Sequence, residues 1–429
     1  MRFFVWISMA LTFQSALLTA QPRKLSLSNA IQAALENNAG VQISDEQRLQ
    51  ADARTEEQRA VLLPGINASA AYTNQTINLG ARGIRFPGIP ATVGPFGTSD
   101  VRLQYTEPLL DLSLLRRYQS VRRAADAAGF ESQAVKNRVA AMVARLYFNV
   151  QRARATVESV RAQIDLDNSL LKLARDRQEL GAGTGLDVTR SQSRLAADRH
   201  RLLQTENEAR NAELQLLRAM GERPNIPVDL ADSLASTFSA TETADAAVAT
   251  ALRDRPEMKA EEKKIESARL ALKGAESERL PAVHAFADYG DSGNRQVFVP
   301  TSTAGVQLQV PLFDGGRRSA HRKTAESQLR QAEVRARDIR DEIEFDVRVA
   351  ADNLASAREQ LRAAEEALVL AGEELDLSRL RFEAQVSTQI DVVNAQAQIA
   401  EARSRRIHAL FALKSAELEY RRATGVEIR

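Results

Sequence analysis

The sequence predicts a mainly α fold with a transmembrane β-barrel contribution, built as a duplicated helix–strand-pair–long helix–helix unit. Three observations predict it. Good helix formers dominate the 429 residues and aromatics make up only 5%, which suits long helices packed through small side chains. Four short segments alternate apolar and polar residues with a period of two, the mark of strands with one buried face. The same landmarks then recur in the same order in both halves of the chain.

The N-terminus reads as a signal peptide over residues 1–20. Arg2 supplies the charge, Phe3 to Leu18 the apolar run, and Ala20 a small residue before the polar Gln21-Pro22-Arg23-Lys24. The run is shorter than the roughly 20 residues a transmembrane helix needs. No later stretch is apolar enough to span a bilayer as a helix, so any membrane crossing must use strands. Lys and Arg number 58 against 56 Asp and Glu, a balance that argues against a nucleic-acid partner. The chain has no cysteine, which excludes disulfides, thiolate metal sites, a Cys nucleophile and a lipidated N-terminal Cys.

The duplication is read by offset. Ala34-Leu35, Leu63-Pro64 and Tyr72 recur 217 positions on as Ala251-Leu252, Leu280-Pro281 and Tyr289. Pro108-Leu109 and Asp111 recur at an offset of 203 as Pro311-Leu312 and Asp314. Asp187-Val188 and Gly221 recur at 204 as Asp391-Val392 and Gly425. The first copy therefore carries 14 extra residues between Tyr72 and Pro108. These anchors set repeat 1 at 21–221, a Pro-, Ser- and Thr-containing linker at 222–245, repeat 2 at 246–425 and a tail at 426–429.

Within each copy the first element is a helix of about 35 residues, 26–62 and 246–279. A strand pair follows, about 64–108 and 281–311. In the four strands Ile66, Ala68, Ala70 and Tyr72, then Val101, Leu103 and Tyr105, then Val283, Ala285, Ala287 and Tyr289, then Val306, Leu308 and Val310 share faces. Asn67, Ser69, Arg102, Gln104, His284, Asp288, Gln307 and Gln309 lie opposite. This fits a sheet on a soluble core or a transmembrane barrel. Strand lengths near ten residues, Tyr72, Tyr105 and Tyr289 as membrane-interface aromatics, and a Gly/Pro-rich loop over 79–97 favour the barrel. Pro64 and Pro281 should enter the pairs and Pro108 and Pro311 leave them. Four strands cannot close a barrel, so several chains must contribute.

Long helices are expected over 113 to about 180 and 317 to about 383, with a break or short second helix near 166–177. Each spans on the order of 100 Å. Final helices follow at 186–220 and 390–424. The last carries two stripes at 3/4 spacing, one through Ile390, Val393, Ala397 and Ala400, the other through Val392, Ala395, Ile399 and Ala402. Two stripes mean neighbours on two sides, as in a curved helical wall or a bundle. The turns Thr184-Gly185-Leu186-Asp187 and Thr388-Gln389-Ile390-Asp391 resemble capping boxes with Asp in place of Glu. Two readings of these aspartates stand: helix caps, or residues lining a constriction at the inner end of a tube.

With Leu-Pro-x-x-x-x-x-x-x-Tyr present twice, Pro311-Leu312-Phe313-Asp314-Gly315-Gly316-Arg317, and the tips running into Asp187-Val188 and Asp391-Val392-Val393-Asn394-Ala395-Gln396, the chain resembles the TolC-like outer-membrane efflux protein family over nearly its whole mature length. The resemblance implies a homotrimer whose strands form one outer-membrane barrel, with a long α-helical barrel in the periplasm. It also implies a periplasmic adaptor (membrane fusion) protein and an inner-membrane pump as partners, outer-membrane lipid around the strands, and a passive conduit for efflux or type I secretion. Some members close the inner end with two aspartates and an Arg-centred network. Asp391 matches the first aspartate, Asn394 stands at the second, and Ser387 at the arginine, so a periplasmic gate at Asp391 and Asn394 is expected in weakened form.

Nothing in the sequence suggests an enzyme, a cofactor or a metal. His200, His284, His321 and His408 have no ligand spacing, and Gly181-Ala182-Gly183-Thr184-Gly185 follows a helix rather than a strand and reads as a turn. The competing functions are a periplasmic coiled-coil adaptor and a non-membrane helical scaffold. The two strand pairs and the in-register repeat argue against both.

Overall fold

A computed structural model describes residues 23–83, 87–88, 90–224, 228–232, 243–294, 297–384 and 386–426. The signal-peptide segment lies outside the described residues, as do parts of the 79–97 loop, the 222–245 linker and the tail. The elements run β1 (Arg23–Leu25), α1 (Leu27–Asn37), α2 (Ala39–Ala60), β2 (Gly65–Asn78), β3 (Thr92–Leu110), α3 (Leu112–Glu179) and α4 (Gly185–Ala219). They continue as β4 (Val228–Leu230), α5 (Ala244–Asp254), α6 (Pro256–Ser277), β5 (Ala282–Gly293), β6 (Phe298–Gln309), α7 (Arg317–Glu383) and α8 (Gln389–Thr424).

The first helix of each copy is two helices, not one of about 35 residues. Asn38 leaves the helix at φ −69°, ψ 127°, and its side chain accepts from Gly40 N at 2.8 Å, capping α2. In the second copy Arg255 is extended ahead of Pro256, which opens α6. Proline lacks the N–H that a continuous helix needs and pushes the preceding residue out of the α region. The expected break near 166–177 is absent, and α3 runs unbroken for 68 residues. It contains no proline, and Leu171 and Ala174 keep its apolar face buried through that stretch.

The long helices outreach their hairpin partners. α4 and α8, at 35 and 36 residues, cover about half of α3 and α7. The other half of α3 is flanked by α2 and α6, and α6 also packs on α7. One core lies where α1, α2, the middle of α3 and the end of α4 meet, around Val41, Val143, Tyr147, Leu216 and Met220. Tyr147 Oη donates to the Leu25 carbonyl at 2.9 Å and lies 3.0 Å from an Asp232 carboxylate oxygen, tying the parallel β1–β4 pair to α3. A second core joins α5, α6, α7 and the end of α8. A third joins α7 to the start of α8, with Leu166 and Leu170 of α3 packed on it. On α8 the stripe through Val392, Ala395, Ile399 and Ala402 is buried in that third core. Ile390, on the other stripe, is 51% exposed.

The strands form one antiparallel sheet in the order β2-β3-β5-β6, open at both edges in the single chain. They are longer than the expected ten residues: 14 and 19 in the first pair, 12 and 12 in the second. The extra residues of the first copy therefore enter strand as well as loop, β3 beginning already at Thr92. Pro108 lies inside β3 rather than at its exit, next to the register shift between Pro108 and Leu110, where the ladder tolerates a missing donor.

Candidate functional site

The sheet presents two chemically distinct faces, and its register builds them. Ile66 pairs with Tyr105 and Tyr105 with Ala287; Ala68 pairs with Leu103 and Leu103 with Tyr289; Ala285 pairs with Val306. Directly paired residues share a face, so all four apolar sets fall on one side. That side is open: Ile66, Tyr72, Leu103, Tyr289, Val306 and Leu308 are each more than half exposed. The opposite face carries Asn67, Gln104, Asp288 and Thr303 in one cross-strand row. Beside it Arg102 donates to Asp288 at 2.9 Å and to Asp100 at 2.5 Å. An exposed apolar face backed by a hydrogen-bonded ionic row has the chemistry of a barrel strand set, apolar toward lipid and polar toward a lumen. Tyr72, Tyr105 and Tyr289 all stand on the apolar face but at three levels: Tyr289 lies two residues along the ladder from Tyr105 and Tyr72 four further. Tyr72 and Tyr105 are thus separated by about 20 Å along the strands.

At the far end of the helices the two hairpin tips meet. Both turns are capped as the sequence indicates. Asp187 Oδ2 accepts from Thr184 N at 3.1 Å and Thr184 Oγ1 at 2.7 Å, and Asp187 N donates back to Thr184 Oγ1 at 3.3 Å. Asp391 Oδ2 accepts from Thr388 N and Oγ1, both at 3.0 Å. The Thr388 N–H and hydroxyl, and more weakly the positive Arg381, hold the Asp391 carboxyl below the usual carboxylate range, so it stays ionised at neutral pH. Asn394 is exposed one turn further along α8, on the same side as Asp391.

Two residues that the sequence does not single out join the tips. Arg177, near the end of α3, donates to the Phe382 carbonyl at 3.0 Å and places its guanidinium 4.3 Å from the Phe382 ring centroid. Gln389 Nε2, at the start of α8, donates to Ser191 Oγ at 2.9 Å and to the Asp187 carbonyl at 3.3 Å. These contacts bridge residues about 200 positions apart, so no local pattern announces them. Ser387 leaves a buried Oγ without a hydrogen-bond partner among the described residues. Arg177 of the first hairpin thus ties the two tips together, while Arg381 of the second acts on Asp391 through its charge. Among the described residues no cluster of three or more His, Cys, Asp or Glu side chains is arranged for a metal, and no helix is long and apolar enough to cross a membrane.

A sheet with one lipid-compatible face and two open edges, standing on a wall of long helices with paired tips, defines a subunit of a tubular channel. The chain belongs to the outer membrane efflux protein family, whose model matches it twice, over residues 30–222 and 228–426. It is 23% identical over 375 residues to outer membrane protein TolC of Vibrio cholerae, covering 86% of this chain and 83% of that one. It is 26% identical over 422 residues to outer membrane protein OprJ of Pseudomonas aeruginosa, covering 90% and 80%. The fold matches the outer-membrane channel OprN with a TM-score of 0.81 at 17% identity, over 94% of this chain and 90% of that one. It matches the outer membrane protein VceC of Vibrio cholerae with a TM-score of 0.80 at 16% identity, over 94% and 97%. The protein is an outer-membrane channel subunit of an efflux or secretion system, which sets aside the adaptor and scaffold readings.

Proposed function

We propose that three copies of this chain close a passive conduit gated at its inner end by the tips around Asp391 and Asn394. As a homotrimer it works with a periplasmic adaptor and an inner-membrane pump, and it performs no chemistry of its own. The edge strands β2 and β6 pair between neighbouring chains, since unpaired strand edges are not tolerated in lipid. Residues 1–20 are removed on export. Repeats 21–221 and 246–425, joined by 222–245 and followed by the tail 426–429, each bring one strand pair and one hairpin, so three chains make a wall of near-sixfold repeat. Tyr72 and Tyr105 anchor opposite margins of the apolar band.

The observation that carries the gate is the state of Asp391. One carboxylate oxygen is consumed by the cap, while the residue stays ionised and exposed at the inner end of α8. Three such carboxylates around a narrow opening attract cations. Asn394 adds hydrogen bonding but no charge, so one acid per chain carries the field. Asp391→Ala, reconstituted in planar bilayers, should lose the block of conductance by divalent and trivalent cations. A block identical to the parent channel's would sink the gating role.

A further inference from the structure

A polar knot lies buried in the hairpin wall, above the tips and apart from the gate residues. Asp167 of α3 is only 2% exposed and Asp198 of α4 is 15% exposed. Their carboxyl groups flank the same Arg194 Nε, at 3.6 and 4.0 Å, and the Oδ2 atom of each is buried with no hydrogen-bond partner among the described residues. Two ionised carboxylates offer only acceptors to one another, whereas one shared proton turns the clash into a hydrogen bond. The surroundings supply little else. Gln163 Nε2 on α3 donates to Asp167 Oδ1 at 3.1 Å, and Gln396 Nε2 on α8, fully buried, reaches the same atom at 3.5 Å. From α4, Arg194 Nε stands 3.6 Å from Asp167 and 4.0 Å from Asp198, too far for a hydrogen bond to either. Arg190 lines the adjoining groove and Arg201 the smaller one beside Asp198. α8 offers the neutral Gln396, and no hydrogen bond or ion pair of the knot involves α7 among the described residues. The groove, about 490 Å³, is lined by Asp167, Arg194 and Gln396 and gives water a route to Asp167.

We propose that Asp167 and Asp198 form a proton-operated clasp that holds α3, α4 and α8 together when they share one proton and loosens them when both are ionised. The proton comes from and returns to water through the groove, and no other group changes covalently. The direction follows from linkage. Burial, first, and then the neighbouring Asp198 push the Asp167 carboxyl up to about 7, against the partial opposition of Arg194 and Gln163. Once the helices part and water reaches Asp167, it titrates near its ordinary value of about 4. The packed form therefore holds the extra proton between those two values. Raising the pH by one unit in that window favours local opening by up to about tenfold, and the effect levels off above about pH 7.

The clasp concerns helix packing and does not depend on the gate at Asp391, so either can fail alone. The test is hydrogen exchange on the intact channel in nanodiscs from pH 5 to 8.5, corrected for the intrinsic pH dependence of exchange. Amides of 160–172 and 191–201 should open roughly tenfold more per unit up to about pH 7 and then level, while amides around Tyr147 stay flat. Asp198→Asn should make the slope level off at a lower pH than in the parent, since burial alone still raises the Asp167 carboxyl. Asp167→Asn should remove the slope, and it serves as the second variant if the first fails to assemble. A flat profile in the parent protein, or the same profile in parent and variant, overturns the proposal.

Discussion

Arg177→Ala tests how the tips are held. Arg177 makes the charge-assisted hydrogen bond to the Phe382 carbonyl and the cation–π contact with its ring. Both are half-exposed, so the lower ends of their ranges apply: about 1.5 kcal/mol for the hydrogen bond and about 0.5 kcal/mol for the ring contact. Losing about 2 kcal/mol from the joined state alone shifts the opening equilibrium of one tip pair roughly 30-fold. Single-channel recording in planar bilayers reads this as opening frequency, which should rise by about that factor in Arg177→Ala. Arg177→Lys keeps the charge but loses the planar fork and should fall between. An opening frequency within threefold of the parent channel would refute the idea that Arg177 joins the hairpins.

Other positions give separate tests. Leu103→Lys puts a charge on the apolar face, at a cost of about 2–4 kcal/mol near mid-membrane, and should deplete assembled channel in outer-membrane fractions. Gln104→Lys, one residue on and on the polar face, should assemble normally. Gly290→Ala should also impair assembly, since its Cβ would lie 2.5 Å from Arg102 Cα and closer still to the Val101 carbonyl; heat-modifiable trimer on gels measures the loss. Thr388→Ala removes a helix cap worth about 1 kcal/mol and should fray the start of α8, seen as faster amide exchange over 389–393.

Much of this architecture was legible in the chain because it rests on periodicity. Alternation placed Ile66, Leu103, Tyr289 and Val306 on one face, and pairing across β2, β3, β5 and β6 aligned those faces. The tip caps were legible because a capping box is a local pattern of four residues. The breaks at Asn38 and Pro256 had local signals too, Asn-Asn-Ala-Gly and Arg-Pro, but the helical period continues across both and masks them. The polar stretch near 166–177 suggested a break because its partners are remote: Asp167 faces Asp198 and Gln396, and Arg177 faces Phe382. Contacts between side chains 31 positions apart, as in the acid pair, or 205 apart, as between Arg177 and Phe382, leave no spacing to read, so the joined tips and the buried acid pair emerge only from the fold.

The central claim is that β6 of one chain pairs with β2 of the next until three chains close the wall. The chain has no cysteine, so introduced pairs report without background. One cysteine on β2, at Ala70, is combined in turn with one at each apolar-face position of β6 from Ser302 to Leu308, and the assembled protein is oxidised in outer membranes. Closure predicts that the matching register yields a covalent trimer and nothing larger, while each single-cysteine chain stays monomeric on denaturing gels. Dimers alone, an open ladder of higher polymers, or no cross-link at any β6 position would contradict it.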